Sequence, residues 1–305
     1  MNQGRINVAE RSIEGKPFII GQHIADFNAL VKLRLTLTVV FSSVMAFLIA
    51  TQGEINLVHV LVLTIGGFLV TGSANIMNQV LERDYDKLMK RTANRPIVQG
   101  RIEVSSAVLL SGLMSLFGIT FLALFNAGTA LLGMVAWMSY AFMYTPLKRV
   151  SPAAVPIGAI SGALPTLIGC VAAQNGLTLL GLTLFMVQFL WQFTHFWSIG
   201  WLGFDDYKKA GYKFIPQDQQ ENIDKSIAYQ AILFAIVLVP VSLLPYYLGV
   251  TGVVSMVLVG MLSLLFAYFA WNFLKKFDRK AALQLMFSSF LYIPIVLLLY
   301  FFDKI

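Results

Sequence analysis

Asn78, Glu82 and Asp86 follow one another at intervals of four residues, directly behind a long apolar run. At about 100° per residue, positions four apart drift by only about 40° around a helix, so the three form one stripe. Asn75 borders it. A row of side-chain oxygens on one helix face can hold a hard divalent cation. Mg²⁺ takes oxygen ligands, keeps several waters, and typically shares one or two carboxylates with substrate phosphates. Behind the stripe come Lys87, Lys90, Arg91, Arg95 and Arg101. Carboxylates followed by cations suit a metal–diphosphate complex, in which the acids hold the metal and guanidinium forks take the remaining phosphate oxygens. The competing reading is of ordinary loop charges. It fits Lys87, Lys90 and Arg101 better than the stripe, because acids contribute little to membrane topology and polar groups near membrane depth are costly.

Three further stretches carry similar groups. YAFMYTPLKR places Tyr144 four residues before Lys148, with Pro146 expected to break a helix between them. KLRLT sets Lys32 and Arg34 at the start of another apolar run. HFWSIGWLGFDDYKKAGYKFIP offers His195 inside a run, then Asp205, Asp206, Tyr207, Lys208, Lys209 and Lys213 at its end. A histidine within a span is costly enough to suggest a role, as a ligand or as an interhelical hydrogen bond. His23 and His59 read as structural.

The elements that must position these groups follow from composition. Of 305 residues, 58% are apolar and only 12% charged, where a soluble domain carries about 25% charge. Runs long enough to cross roughly 30 Å of hydrocarbon recur nine times, near 31–51, 57–80, 105–125, 127–146, 154–174, 179–202, 227–248, 251–272 and 281–302. Their continuous apolarity predicts helices, whose backbone is satisfied internally, and excludes alternating barrel strands. The expected fold is therefore an all-α integral membrane bundle of nine transmembrane helices, with a cytoplasmic N-terminal segment (1–30), which looks poorly structured, and one membrane domain (31–305). The first run reads as a retained span, not a signal peptide.

Under nine spans, all of the 22 Lys and Arg residues except Lys304 fall at one membrane face. The positive-inside rule assigns that face, with the N-terminus and every long loop, to the cytoplasm and the C-terminus to the opposite side. In a soluble protein the net charge of +7 would raise nucleic acid as a partner. Here the loop cations account for it, and no nucleic-acid partner is expected. Cys170 is the single cysteine, so an intrachain disulfide is excluded.

The Asn78-x3-Glu82-x3-Asp86 pattern resembles the first acidic motif of the UbiA-type intramembrane prenyltransferases. The match extends through NQVLERDYDKLMKRTANRP, YTPLKR, SGALPTLIG, WQFTHFW and DDYKKAGYKFIP, and is closest in kind to the branch that prenylates heme. That resemblance implies nine helices around a central cavity capped by cytoplasmic loops. It also implies Mg²⁺ as cofactor, farnesyl diphosphate and protoheme IX as substrates, a bacterial inner-membrane location, and a downstream heme A synthase as a possible partner. Carried over by position, it implies metal binding by Asn78, Glu82 and Asp86, and a Tyr144/Lys148 pair at the diphosphate. Lys32, Arg91, Arg95 and Lys208 join them as diphosphate-binding cations, and His195, Asp206 and Tyr207 become candidate heme contacts. There are departures. Gln79 and Glu82 stand where the superfamily often has Asp, Asp205 and Asp206 are adjacent where a second motif spaces its acids by four, Thr194 replaces a Pro, and Leu33 replaces another. Prenylation of a quinone or chlorophyll precursor is the alternative enzyme. A transporter is the alternative class, disfavoured because the charges sit at helix ends and not at midplane.

Overall fold

The computed structural model describes residues 20–305. The chain runs α1 (Ile20–Leu30), α2 (Leu33–Ala50), α3 (Leu57–Asp86), α4 (Val104–Ala123), α5 (Ala127–Met138), a π-helical segment (Ser139–Tyr144), α6 (Thr145–Leu147), α7 (Ala154–Gln174), α8 (Leu179–Leu202), α9 (Phe204–Lys209), α10 (Ser226–Tyr247), α11 (Val253–Lys276) and α12 (Arg279–Phe302). Among the described residues, nine helical segments are long and apolar enough to cross a membrane, taking α5 through α6 as one. Four helices that emerge from short connections are started by a capping side chain. Asn56, Asn126, Thr178 and Asp278 accept from the first free backbone N–H groups of α3, α5, α8 and α12, which have no partner inside the helix.

The bundle closes around α7, the most enclosed of the spans. A methyl group on Gly169 would lie 2.1 Å from the carbonyl oxygen of Ser43, so the small residue lets α7 touch the α2 backbone directly. Buried hydroxyls join other helices. Ser73 bonds Ser111 across α3 and α4 and accepts from Trp137 Nε1, while Ser263 links Ser242 of α10 to Tyr292 of α12. Large apolar side chains such as Leu57, Leu109, Leu131 and Met261 stay exposed on the outer faces, as a lipid-facing surface requires.

Two features differ from the sequence reading. Residues 1–19 lie outside the described part, but Ile20–Leu30 forms a helix where no element is expected. Asp26 pairs with Arg101 at 2.9 Å, and Gln79 Nε2 donates to the carbonyls of Ala29 and Leu30. The second feature is α3. Its 30 residues extend roughly 45 Å at 1.5 Å per residue, well beyond a core about 30 Å thick. The last turns, which carry the stripe, therefore stand past the hydrocarbon. The loop ends of the bundle meet there, with Lys213 N bonded to Lys148 O. At the other end Lys304 donates to carbonyls of Leu48 and Thr51.

Candidate active site

The end of α3 is a poor place for acids on its own. A helix C-terminus carries partial negative charge, yet Glu82 and Asp86 lie there, 3% and 0% exposed, with Asn78 at 1%. Unpaired, they would be strongly destabilising. Each stripe side chain has instead its own cation, brought by a different segment. Lys32 Nζ donates to Asn78 Oδ1 at 2.7 Å, Lys148 Nζ lies 2.5 Å from Glu82 Oε1, and Arg95 Nη1 lies 2.5 Å from Asp86 Oδ2. The pairing leaves acceptor capacity unused. Asp86 Oδ1 is buried without a hydrogen-bond partner, and Glu82 Oε1 meets Lys148 at an angle outside hydrogen-bond geometry.

Local backbone explains how the cations arrive. Lys32 sits in the left-handed region (φ 49°) between α1 and α2, a conformation that turns the chain sharply. Burial first, then the Arg95 charge, lowers the Lys32 ammonium pKa to about 7. Tyr144 and Lys148 are set by the π turn. Thr145 Oγ1 donates back to Tyr140 O and accepts from Asn78 Nδ2 at 3.0 Å, which fastens the widened turn to the stripe. Pro146 does not break the helix. It lies in α6, which follows directly on the π segment within one continuous helical run, and the run goes on through Lys148 N, which bonds Tyr144 O. Lys148 Nζ lies 4.8 Å from the Tyr144 ring centroid, and Arg149, stacked 3.9 Å from the Tyr85 ring, donates to the α3 carbonyl of Leu81. Arg91 lies 4.3 Å over Tyr207.

These groups enclose a cavity of about 300 Å³. It is lined by Asn78, Glu82 and Asp86 with the cations Lys32, Arg91, Arg95 and Lys148, and by Tyr144 and Tyr207. Lys208 is not among them. It lies in α9, is exposed, and pairs with Glu221 of the following loop at 2.8 Å, a partner that keeps it away from the cavity. His195 and Asp206 do not line it either. His195 stacks on Trp191 at 4.6 Å and bonds Ser289 Oγ of α12 at 2.7 Å through Nδ1.

Sequence reasoning missed Tyr140 and Tyr212, which also line the cavity. Tyr212 follows Gly211, whose φ of +76° reverses the chain after α9. Its hydroxyl is buried and unpartnered, and burial with the nearby Glu82 charge pushes its pKa up, so it remains a donor. An aromatic beside a basic loop signals nothing by itself.

Among the described residues no group of three or more His, Cys, Asp and Glu side chains could hold a metal. Two carboxylates and an amide oxygen, facing four cations, make instead a site for an anion that brings or shares a hard cation.

The model of the UbiA prenyltransferase family matches residues 39–293, and the chain belongs to that family. It stands there with the protoheme IX farnesyltransferases. It is 43% identical to that of Cytophaga hutchinsonii over 90% of this chain and 96% of the relative. It is 38% identical to that of Flavobacterium johnsoniae over 98% and 99%. The fold is also that of a solved digeranylgeranylglyceryl phosphate synthase (TM-score 0.77, 19% identity, 92% of this chain and 98% of the other). A UbiA homologue from Archaeoglobus fulgidus bound to GPP and Mg²⁺ gives a TM-score of 0.69 at 14% identity, over 90% and 99%.

Proposed function

We propose that this cavity ionises farnesyl diphosphate and that the farnesyl group passes to a vinyl group of protoheme IX, with addition of water, giving heme O and diphosphate. The observation that carries the proposal is the threefold pairing on α3: Asn78 with Lys32, Glu82 with Lys148 and Asp86 with Arg95. The arrangement is poised for exchange. When a diphosphate enters, the three cations turn from carboxylate and amide oxygens to phosphate oxygens, and Arg91, held over the Tyr207 ring, adds a further guanidinium. The stripe oxygens are then released to a cation that accompanies the phosphates. Asn78, Glu82 and Asp86 would hold Mg²⁺, and the unpartnered Asp86 Oδ1 fits that role. Bound there, Mg²⁺ would supply Lewis-acid neutralisation of the leaving group.

The protein's own share of the work is electrostatic. Lys32, Arg91, Arg95 and Lys148 are fixed before reaction where negative charge grows on the departing diphosphate, and fixed donors of this kind contribute about 3 kcal/mol each in favourable cases. Tyr212 can add an O–H donor. Tyr144 already presents its ring to an ammonium, so the same face suits an allylic cation. On the heme side, Tyr207 is the candidate that reaches the cavity. The cation bias of the loops supports an inner-membrane protein whose active-site face and N-terminus are cytoplasmic and whose C-terminus is opposite.

Chelation tests the exchange. EDTA should stop farnesyl transfer and excess Mg²⁺ restore it, measured as heme O formed in membranes. Chelated enzyme working at the untreated rate would leave the carboxylates as structural partners of Lys148 and Arg95.

Lys32 gives the reading a pH signature. With its pKa lowered to about 7, the free site holds Lys32 largely neutral at pH 8. A bound diphosphate favours the ammonium and raises that pKa, so binding takes up a proton and affinity falls as pH rises from 7 toward 9. Calorimetry of farnesyl diphosphate binding in buffers of different ionisation enthalpy should show the uptake at pH 8, and Lys32→Met should remove most of it. Binding without proton exchange contradicts the assignment.

A further inference from the structure

A second cavity lies between α11 and α12, with a volume of about 740 Å³, and shares no lining residue with the cavity at the end of α3. Its floor is closed by Phe266 and Tyr292, both buried and stacked 5.0 Å apart. The Tyr292 hydroxyl is turned to Ser263 at 2.7 Å, leaving hydrocarbon toward the groove. The rims are Leu265, Phe287 and Leu291, which are exposed on the lipid-facing side. Arg279 and Lys280, the first two residues of α12, line the groove at one end. Both are exposed, and neither forms an ion pair among the described residues. The adjacent acid, Asp278, is engaged in capping α12 through Ala281 N.

We propose that this groove binds an anionic phospholipid, with an acyl chain in the trough and the headgroup phosphate held by Arg279 and Lys280. Length supports an acyl chain. From Arg279 to Ile295 the groove follows α12 for about 24 Å at 1.5 Å per residue, more than the roughly 15 Å of one leaflet's chains. An elongated trough between helices suits a flexible chain better than a rigid planar ring. Charge supports an anionic head. Arg279 and Lys280 stand at the N-terminus of a 24-residue helix, whose partial positive charge adds to theirs. Gln284, whose carbonyl oxygen already accepts from Asn272, offers the ligand N–H donors. Not every neighbouring cation takes part. Lys275 lies 4.0 Å over Trp271, and neither Lys275 nor Lys276 lines the groove. This separates a built headgroup site from the general basicity of the face.

The test uses full-length protein presented with equal phosphatidylglycerol and phosphatidylcholine, with retained lipid counted by native mass spectrometry. Phosphatidylglycerol should be retained preferentially by about thirtyfold, the scale of two basic side chains at an anionic headgroup. Arg279→Gln with Lys280→Gln should abolish the preference, and Lys275→Gln with Lys276→Gln should keep it. Ser288→Trp, which fills the groove and leaves both cations in place, should lower retention by itself, and so decides the matter if the charge variant fails to fold. Equal retention of the two lipids overturns the proposal. So does a preference that survives the Arg279/Lys280 change, or one that the Lys275/Lys276 pair removes equally. Displacement of phosphatidylglycerol by hemin through Arg279 and Lys280 would make the groove a porphyrin dicarboxylate site and overturn the lipid assignment.

Discussion

Asp86→Asn should reduce farnesyl transfer by at least about 100-fold, as loss of a single transition-state electrostatic contact does elsewhere, while leaving the protein inserted and folded. The substitution preserves volume and keeps a carbonyl oxygen for Arg95, so the partly buried guanidinium retains a partner. What disappears is the charge, together with a stripe oxygen that no protein donor satisfies. An acid buried at a helix C-terminus is an electrostatic burden, and the asparagine oxygen still receives Arg95, so neutralising it should cost far less in stability than in activity. Activity and stability therefore move apart in this variant. Thermal unfolding in detergent beside a turnover assay separates them, and turnover at the wild-type rate would remove Asp86 from the chemistry.

Lys148→Met should weaken binding of farnesyl diphosphate by about 10- to 100-fold, the range of one charge-assisted hydrogen bond of roughly 1.5–3 kcal/mol. Lys148 has two engagements in the free protein, the Glu82 carboxylate at 2.5 Å and the Tyr144 ring. Methionine keeps the stem and its packing but strands Glu82, which is 3% exposed. A single variant thus mixes lost ligand contact with a destabilised apoprotein. Adding Glu82→Gln resolves the mixture. The double variant should recover thermal stability without recovering affinity, because only the stability loss arises from the stranded carboxylate. Equilibrium binding of farnesyl diphosphate decides, and unchanged affinity in Lys148→Met would make Lys148 a topological cation only.

The spans were legible in the sequence because lipid imposes one requirement on every residue of a long apolar run. All nine lie where the runs place them, with ends shifted by a few residues except in α3, which continues to Asp86. The stripe was legible for a related reason. Helical periodicity places Asn78, Glu82 and Asp86 on one face whatever surrounds them. Partners were harder. Arg95 and Lys208 both lie between long spans, and nothing in composition distinguishes the one that meets Asp86 from the one that meets Glu221. The direction of a long flexible side chain is decided by which acid the folded loop brings near.

The same holds for Tyr212, which enters the cavity only because Gly211 reverses the chain. Gln79 is a more instructive case. On position it reads as a weakened acidic motif, yet its side chain caps the last carbonyls of α1 and belongs to the scaffold. A helix at Ile20–Leu30 also escaped, being too short to signal a span and held by contacts with distant residues such as Arg101.

Incubation of membranes with hemin, farnesyl diphosphate and Mg²⁺, followed by mass analysis of the extracted porphyrin, weighs the central claim most directly. Wild-type protein should yield a heme heavier by the mass of farnesol, that is, the prenyl group plus a hydroxyl from water, whose other proton is lost, and Asp86→Asn should not. Unmodified hemin, alongside prenylation of a quinone precursor by the same preparation, would contradict the account.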